Sequence, residues 1–510
     1  LSENQPQPTD KSNTLTHRAL SGFTWMFSGS MMGFGLQLIV TMILARLLSP
    51  ADFGLLSAAL VIIYFSEIFS SLGMGPALVQ RKELEPRHIS TGFTANFLFT
   101  TLLGLLIYLA APAIAAVYRM PELVPILHVL ALLFPIRGFA ILSEALLKRA
   151  GQFRQLATAD VVAYTVGYAL VGVAMAWSGY GVWALVVATL AQTTLRSLLL
   201  FWRVPHSVRP HFERSAFQDL LGFGGGITLS NIANYFARQG DNFVVGRWLG
   251  ATALGFYSKA FSLMLLPTSE FSKVIDEVLF PTLSQVHDNR AKLVLAYRHS
   301  LGVVALLVLP LSLFALLLAP ELIQVVYGSG WQAAVIPFQV LCLSMFFRSA
   351  YKINGSIIKA CGVVYNFASI QVIYAVLVVV GAIIAQQWGI TAVAFTSALA
   401  IAVNYFLLSR ISLRLTQTSW RTFIKWHIPG LLVSLILLVV LITIVSVLRF
   451  YAFSALVVLV AAAIAAGATL LLSFLWMPGV VGESGAWLLT WATHFLRSKT
   501  RIGRPKLKEL

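Results

Sequence analysis

The sequence predicts an all-α polytopic membrane protein of fourteen transmembrane helices, with two pseudo-symmetric six-helix lobes and two C-terminal helices. Three observations carry this. Of 510 residues, 58% are hydrophobic and only 11% are charged, and the mean hydropathy is +0.83. A soluble domain carries about a quarter charged residues, so a soluble enzyme, a disordered chain and a disulfide scaffold are excluded. The apolar residues fall into long runs, each near the roughly 20 residues a bilayer-crossing helix needs. The runs also repeat: the first six resemble the next six.

The elements follow in order. Residues 1–17 are polar and lack the apolar core of a cleaved leader, so a cytoplasmic N-terminal segment is expected. The first lobe, 18–204, holds spans at 19–46, 52–75, 89–117, 122–147, 154–177 and 180–203. A polar cytoplasmic linker, 205–216, carries Pro205, His206, Arg209, Pro210, His211, Glu213 and Arg214. The second lobe, 217–413, holds 217–249, 252–280, 293–319, 332–358, 365–387 and 390–412. Two more spans, 422–447 and 452–477, lie within 414–477. The tail, 478–510, is basic. In it Trp487, Leu488, Trp491, Phe495 and Leu496 precede a cationic run, the pattern of an interfacial helix meeting anionic membrane lipids.

Charge fixes the orientation. The chain has 36 Lys and Arg against 19 Asp and Glu, a net charge of +17. In a soluble protein this would suggest nucleic acid, but in a membrane protein it first suggests cytoplasmic loops. Twenty-five basic residues lie on the side of the two termini, and four (Arg46, Arg119, Arg247 and Arg449) on the other. Both termini are therefore expected in the cytoplasm, and no nucleic-acid partner is expected. The outward loops are short, which leaves a membrane glycosyltransferase or polymerase no exposed domain for catalytic groups. Cys342 and Cys361 lack any ligand spacing, and neither HExxH nor a P-loop lysine motif occurs. No metal or other cofactor is expected, and the energy source is an ion gradient (H+ or Na+) or the substrate gradient.

The repeat is explicit. ARLLSPADFGLLSAA at 45–59 matches GRWLGATALGFYSKA at 246–260 through Arg46/Arg247, Leu48/Leu249, Gly54/Gly255, Ser57/Ser258 and Ala59/Ala260, an offset of 201. Arg137, Lys148 and Gly151 recur as Arg348, Lys359 and Gly362, an offset of 211. Gly181 and Ala184 recur as Gly389 and Ala392, an offset of 208. A unit of six spans keeps both copies in one orientation, the parallel-repeat arrangement that places a substrate path between lobes.

Charged side chains inside spans cost about 2.5–3.5 kcal/mol each at the bilayer centre and normally face a cavity or a partner. The cations are Arg137, Arg196, Arg238, Lys259, Lys273, Arg348 and Lys352; the acids are Glu67, Glu144, Asp160, Asp241, Glu270, Asp276 and Glu277. Arg137 and Arg348 lie near the midplane at repeat-equivalent depth. Arg348 and Lys352 are four apart and share a helix face. A cationic cavity of Arg137, Arg238, Arg348, Lys352 and Lys259 suits a phosphate or pyrophosphate, which arginine holds bidentately. Glu67 and Asp241 are candidates for ion coupling or for ion pairs, and Arg238 with Asp241, three apart, could equally be a buried structural pair. Arg46 and Arg247 are candidate outer-gate residues, with helix-end anchoring the plainer reading. Glu144, Asp160, Asp276, Glu277 and Arg196 sit near span ends, where interfacial solvation or snorkelling is the simpler expectation. Ser28, Gly29, Ser30, Gly33 and Gly35 in span one, and Gly222, Gly224, Gly225 and Gly226 in span seven, allow close packing or bending.

Three stretches carry a family resemblance: LARLLSPADFGLLSAA at 44–59, PAIAAVYRMPEL at 112–123 and RQGDNFVVGRWLGATALGFYSKAFSLMLLP at 238–267. They resemble the polysaccharide transporter family of the multidrug/oligosaccharidyl-lipid/polysaccharide exporter superfamily, and most of all the colanic-acid exporter type of O-antigen flippase. The resemblance covers about residues 15–480. It implies the flippase fold of that superfamily and a multi-pass protein of the bacterial inner membrane. It also implies alternating-access transfer of an undecaprenyl-diphosphate-linked oligosaccharide to the periplasmic leaflet, alongside polymerase and glycosyltransferase partners. The other readings are a peptidoglycan-precursor lipid flippase, a drug/cation antiporter of the same superfamily, and a membrane glycosyltransferase or polymerase. An antiporter would favour acids in the cavity, whereas the deepest charges here are mainly cations.

Overall fold

In hydrocarbon every backbone N–H and C=O must be satisfied within the chain, which a helix does residue by residue. The apolar runs accordingly fold as helices. The computed structural model describes residues 35–70, 84–207, 209–221, 225–274 and 289–502, and every regular element among them is helical. Residues 1–17, most of span one, Gly222, Gly224, Asp276, Glu277 and the end of the tail lie outside the described residues. So do the side chains of Glu270, Lys273, Trp491, Phe495 and Leu496.

α1 (Gly35–Leu47) is short. The SPAD sequence then restarts the chain. Asp52 Oδ2 accepts from Ser49 N (2.9 Å) and Ser49 Oγ (2.6 Å), and Pro50 opens α2 (Pro50–Ser70) where its missing N–H costs nothing. α3 (Pro86–Tyr118) is the longest unbroken early helix and ends at Arg119 in a left-handed turn, φ 56°. The span expected over 122–147 is present as Leu123–Arg149, with a local break that divides it into α4 (Leu123–Leu130) and α5 (Leu133–Arg149). Pro135 supplies the reason, because it has no N–H for the carbonyl of Ala131. α6 (Phe153–Trp177) widens into a π-helical stretch over Ala163–Leu170. There Gly167 backs directly onto the backbone of Gln192 in α7 (Val182–Arg203).

The linker is docked rather than loose. Its backbone donates to α3, from His211 N to Thr94 Oγ1 (2.9 Å) and from Glu213 N to Thr91 Oγ1 (3.1 Å). Arg87 and Glu213 add an ion pair at 3.0 Å, and His206 lies among the rings of Phe93, Phe139 and Phe201. A short helix, α8 (Arg214–Leu221), follows.

α9 (Gly225–Val274) is interrupted at Gly250, where φ 88° and ψ 177° leave the helical region. The break falls where the sequence separates its seventh and eighth spans. α10 (Arg290–Leu317) starts on Asn289, whose side chain accepts from Lys292 N. α11 (Ala319–Val326) follows, then a tight turn over Ser329–Ala334 leads to α12 (Val335–Cys342) and α13 (Met345–Ala360), bent by 40° at the junction. The remaining helices are α14 (Val364–Ala385), α15 (Ile390–Thr416), α16 (Trp420–Lys425), α17 (Ile428–Phe450), α18 (Ala455–Trp476) and α19 (Pro478–Ile502).

Eleven helices among the described residues are long and apolar enough to cross a membrane, or twelve if the bent pair is one span. That is a multi-pass membrane protein. Fourteen spans are expected from the sequence; among the described residues α1 falls below that length and α9 counts as one helix.

The described residues form two compact units. One runs to Ile232 and includes Gly246–Gly255; the other comprises Ala233–Val245 and Phe256 onward. In the first, Leu147, Leu156, Ala159 and Leu200 pack together. In the second, Ala237, Tyr374, Val378, Ala400 and Ile401 form one cluster, and Leu318 packs with Leu437, Leu441 and Val458 in another. Lipid tails are as apolar as leucine, so close packing of small groups matters more than apolar burial. Gly430, whose added Cβ would lie 2.5 Å from the carbonyl oxygen of Ala305, is one such contact. The outward rows of α3 (Leu98, Leu102, Leu105, Leu109) and α17 (Leu435, Val439, Ile442) are exposed and apolar, as a lipid-facing surface requires.

The repeat has a backbone counterpart. Gly151 and Gly362 adopt φ 66° and 76°, and Gly181 and Gly389 adopt φ 55° and 88°. Each pair ends one helix and opens the next in a conformation that only glycine adopts without strain.

Candidate functional site

In the first unit two ion-pair groups gather around α5. Arg137 lies in the second turn of α5, just beyond the break, and its guanidinium pairs with Glu67 of α2; both are partly exposed. Further along α5, Glu144 takes Arg196 Nη1 at 2.8 Å and Lys148 Nζ at 2.7 Å. Arg196 Nε reaches Asp160 of α6 at 2.6 Å. Arg196 therefore ties α5, α6 and α7 together. Interfacial solvation was the expectation for Arg196, Glu144 and Asp160, and the geometry replaces it with a bridged cluster.

The second unit holds Asp241, Tyr257, Arg348 and Ser397 in one buried group. Asp241 is 1% exposed. Its Oδ2 accepts from Tyr257 Oη (2.7 Å) and Ser397 Oγ (3.0 Å), and its Oδ1 from the backbone N of Asn242 (2.8 Å). Arg348 is 8% exposed. It donates from Nη2 to Ser397 Oγ and from Nε to Ser344 Oγ, both at 3.2 Å, and lies over the Phe261 ring with 4.7 Å to its centre. Asp241 and Arg348 are thus linked through one serine hydroxyl.

The expected pairing of Arg238 with Asp241 takes a different form. Asp241 turns into the unit, where Tyr257, Ser397 and Asn242 occupy its oxygens, while Arg238 is exposed. Lys259 and Lys352 are half-buried. The carbonyl of Lys259 accepts from Tyr327 Oη at 3.0 Å. Arg46 is exposed and donates to the carbonyl of Met42 at 2.9 Å, one turn back, which is the geometry of a helix-end anchor. Arg247 lies over its neighbour Trp248, 5.4 Å from the ring centre.

Two features had little sequence signal. Tyr257, Ser344 and Ser397 shape the Asp241–Arg348 group, yet only the four-residue spacing of Ser344 and Arg348 was readable. Arg449 makes a bidentate pair with Glu321, at 2.8 and 2.9 Å, and also donates to the carbonyl of Leu317. This fastens α17 to α10 and α11. Among the described residues no group of three His, Cys, Asp or Glu side chains could hold a metal ion.

The family model described as "Polysaccharide biosynthesis protein" matches residues 43–336, more than half of the chain. The chain belongs to this family. Its relatives include "Lipopolysaccharide biosynthesis protein WzxC" of Escherichia coli K12. That protein is 26% identical over 349 residues, 68% of this chain and 71% of its own. "Succinoglycan biosynthesis transport protein ExoT" of Rhizobium meliloti is 28% identical over 337 residues, 66% of this chain and 67% of its own. "Teichuronic acid biosynthesis protein TuaB" of Bacillus subtilis is 24% identical over 355 residues, 68% and 72% of the two chains. In fold, the chain is similar to the Lipid II flippase MurJ in an inward closed conformation. The TM-score is 0.71 at 14% identity, covering 88% of this chain and 98% of that one. An inward-facing multidrug resistance MATE family transporter of the MOP superfamily gives a TM-score of 0.57 at 17% identity, covering 75% and 95%.

Proposed function

We propose that this protein is a flippase. It moves an undecaprenyl-diphosphate-linked oligosaccharide repeat unit from the cytoplasmic to the periplasmic leaflet of the bacterial inner membrane, for exopolysaccharide, capsule or O-antigen biosynthesis. The observation that carries this is the family match over 43–336 in a chain of membrane-length helices. The names of its relatives, among them a succinoglycan transport protein, support a transporter rather than an enzyme. In this reading the chain has fourteen spans in two six-helix lobes plus two, both termini are cytoplasmic, and the lobes alternate access. Polymerase and glycosyltransferases act on either side of the transfer, and anionic lipids meet the basic tail.

The diphosphate is the group that in-membrane cations recognise. Of the candidates, Arg238 is exposed, Lys259 and Lys352 are half-buried, and Arg137 is partly exposed beside Glu67. Arg348 is buried, with its guanidinium donating to Ser344 and Ser397. Arg46 and Arg247 flank the outer ends. Coupling to H+ or Na+ falls to Glu67 or Asp241. The second reading is a peptidoglycan-precursor lipid flippase, with which the fold is equally compatible.

Deletion of the gene tests the reading. Loss of surface polymer, with a lipid-linked oligosaccharide accumulating by mass spectrometry, is expected. Accumulation of the peptidoglycan precursor instead would move the assignment to the second reading. Normal export by each of Arg238→Ala, Lys259→Ala and Lys352→Ala would sink the cationic path.

A further inference from the structure

Asp241 and Arg348 bury opposite charges in one unit without touching. We propose that Arg348 is the resident counter-cation of Asp241, so that Asp241 takes up neither a proton nor a sodium ion from solution. This rests on the transport reading only in removing one of its two coupling candidates.

Hydrogen-bond direction is the first argument. The Ser397 hydroxyl has one hydrogen. Arg348 Nη2 can only donate, so Ser397 accepts from it and gives its own hydrogen to Asp241 Oδ2. Tyr257 Oη points a second hydrogen at the same oxygen, and Asn242 N a third at Oδ1. Three donors converging on one carboxyl group fit a carboxylate. A protonated acid would oblige the Tyr257 hydroxyl to accept where it now donates.

Access and charge agree with this. Both oxygens already face N–H or O–H hydrogens, which is the wrong polarity for a cation ligand. The nearest full charge is a guanidinium, which repels one. Exposures of 1% and 8% leave little path from solution. A charge buried without a partner is strongly unfavourable, so neutrality within the unit is what lets both groups remain ionised. The other titratable groups around the pair are Tyr257, Tyr351 of α13, Tyr374 of α14 and Arg238 of α9: tyrosines and a cation, with no second carboxylate among them.

The repeat supplies a contrast. Arg137, the equivalent of Arg348, meets Glu67 directly and with partial exposure. An acid that solvent reaches can exchange its partner. The enclosed chain from Arg348 through Ser397 to Asp241 holds its partner in place.

The test is thermal unfolding of the full-length protein in detergent, in sodium chloride against choline chloride and from about pH 5 to about pH 8. The wild type is expected to show no sodium response that Asp241→Asn removes. Arg348→Gln should unfold at lower temperature and recover by roughly 3 °C or more with sodium or acid, as Asp241 recruits an outside cation. The double variant Arg348→Gln/Asp241→Asn should lose that recovery and unfold above Arg348→Gln. If Arg348→Gln does not fold, the wild type against Asp241→Asn still decides. Sodium stabilisation of the wild type that disappears in Asp241→Asn overturns the proposal, as does an Arg348→Gln protein indifferent to sodium and acid. These readouts involve no cargo, so they fail independently of the polymer-export test.

Discussion

Gly54 and Gly255, the same position in the two copies of the repeat, each press a bare α-carbon against the other's helix. A Cβ on Gly54 would overlap the carbonyl oxygen of Ala251, and one on Gly255 would overlap that of Pro50. Backbone cannot yield as a side chain can. Gly54→Ala and Gly255→Ala should each destabilise by about 1–3 kcal/mol, read as a lower unfolding temperature in detergent. Unchanged unfolding in both would mean the helices do not cross this closely.

Gly467 is the matching control. It sits inside α18 with nothing within 4 Å of a built Cβ. Gly467→Ala should stabilise by about 0.5–1 kcal/mol through helix propensity alone. The same thermal assay separates the two kinds of glycine.

Arg196 holds two carboxylates from two other helices, so Arg196→Ala leaves Glu144 and Asp160 facing each other with Lys148 alone. All are partly exposed, which places the expected loss at about 1–3 kcal/mol rather than the larger cost of a dry site. At the repeat offsets, the second unit carries Gly355, Gln371 and Asn404 in place of Glu144, Asp160 and Arg196. The triple exchange Glu144→Gly/Asp160→Gln/Arg196→Asn should therefore unfold above Arg196→Ala. A triple variant weaker than the single would show that the charges themselves, and not their balance, hold the helices.

Glu213 governs the docked linker. The Ser215 hydroxyl and the Arg87 guanidinium beside it hold its carboxyl below the usual carboxylate range. A lowered value means the contact is complete above the ordinary carboxylate pKa and is lost as pH falls through the depressed one. Limited proteolysis across 204–213 should therefore accelerate only in acid, or at high salt, since the pair is exposed. Glu213→Gln should bring the same acceleration at neutral pH.

Arg449 grips Glu321 with two parallel hydrogen bonds, and Glu321 is only 7% exposed. Lysine keeps the charge and loses the fork. Arg449→Lys should cost less than Arg449→Ala, whose loss of about 2–3 kcal/mol reflects a stranded carboxylate. Equal unfolding temperatures for the two would assign the effect to charge alone.

The sequence made the helical membrane class and the repeat readable, because each rests on local composition or fixed spacing. Partners were a different matter. Glu67 meets Arg137 across seventy residues, and Asp241 meets Arg348 across more than a hundred through Ser397, a residue with no pattern around it. Which acid faces which arginine depends on how helices pack, and apolar periodicity does not encode that. The bend ahead of Arg137 had a signal in Pro135; the bend ahead of Arg348 had none. The widened turn at 163–170 was equally silent, since its residues are ordinary for a straight helix.

The last helix has a practical consequence. Hydropathy suggests a safe stopping point after Trp476, but α19 is wedged against α10. Glu483 pairs with Arg298, Trp487 stacks on His299 at 5.2 Å, and Gly302 leaves room for the Ser484 side chain. A chain truncated at Met477 keeps every membrane-length helix yet strips α10 of these three contacts. An affinity tag belongs beyond Ile502, and shortening the protein to its apolar part would expose the very flank that its end was built to cover.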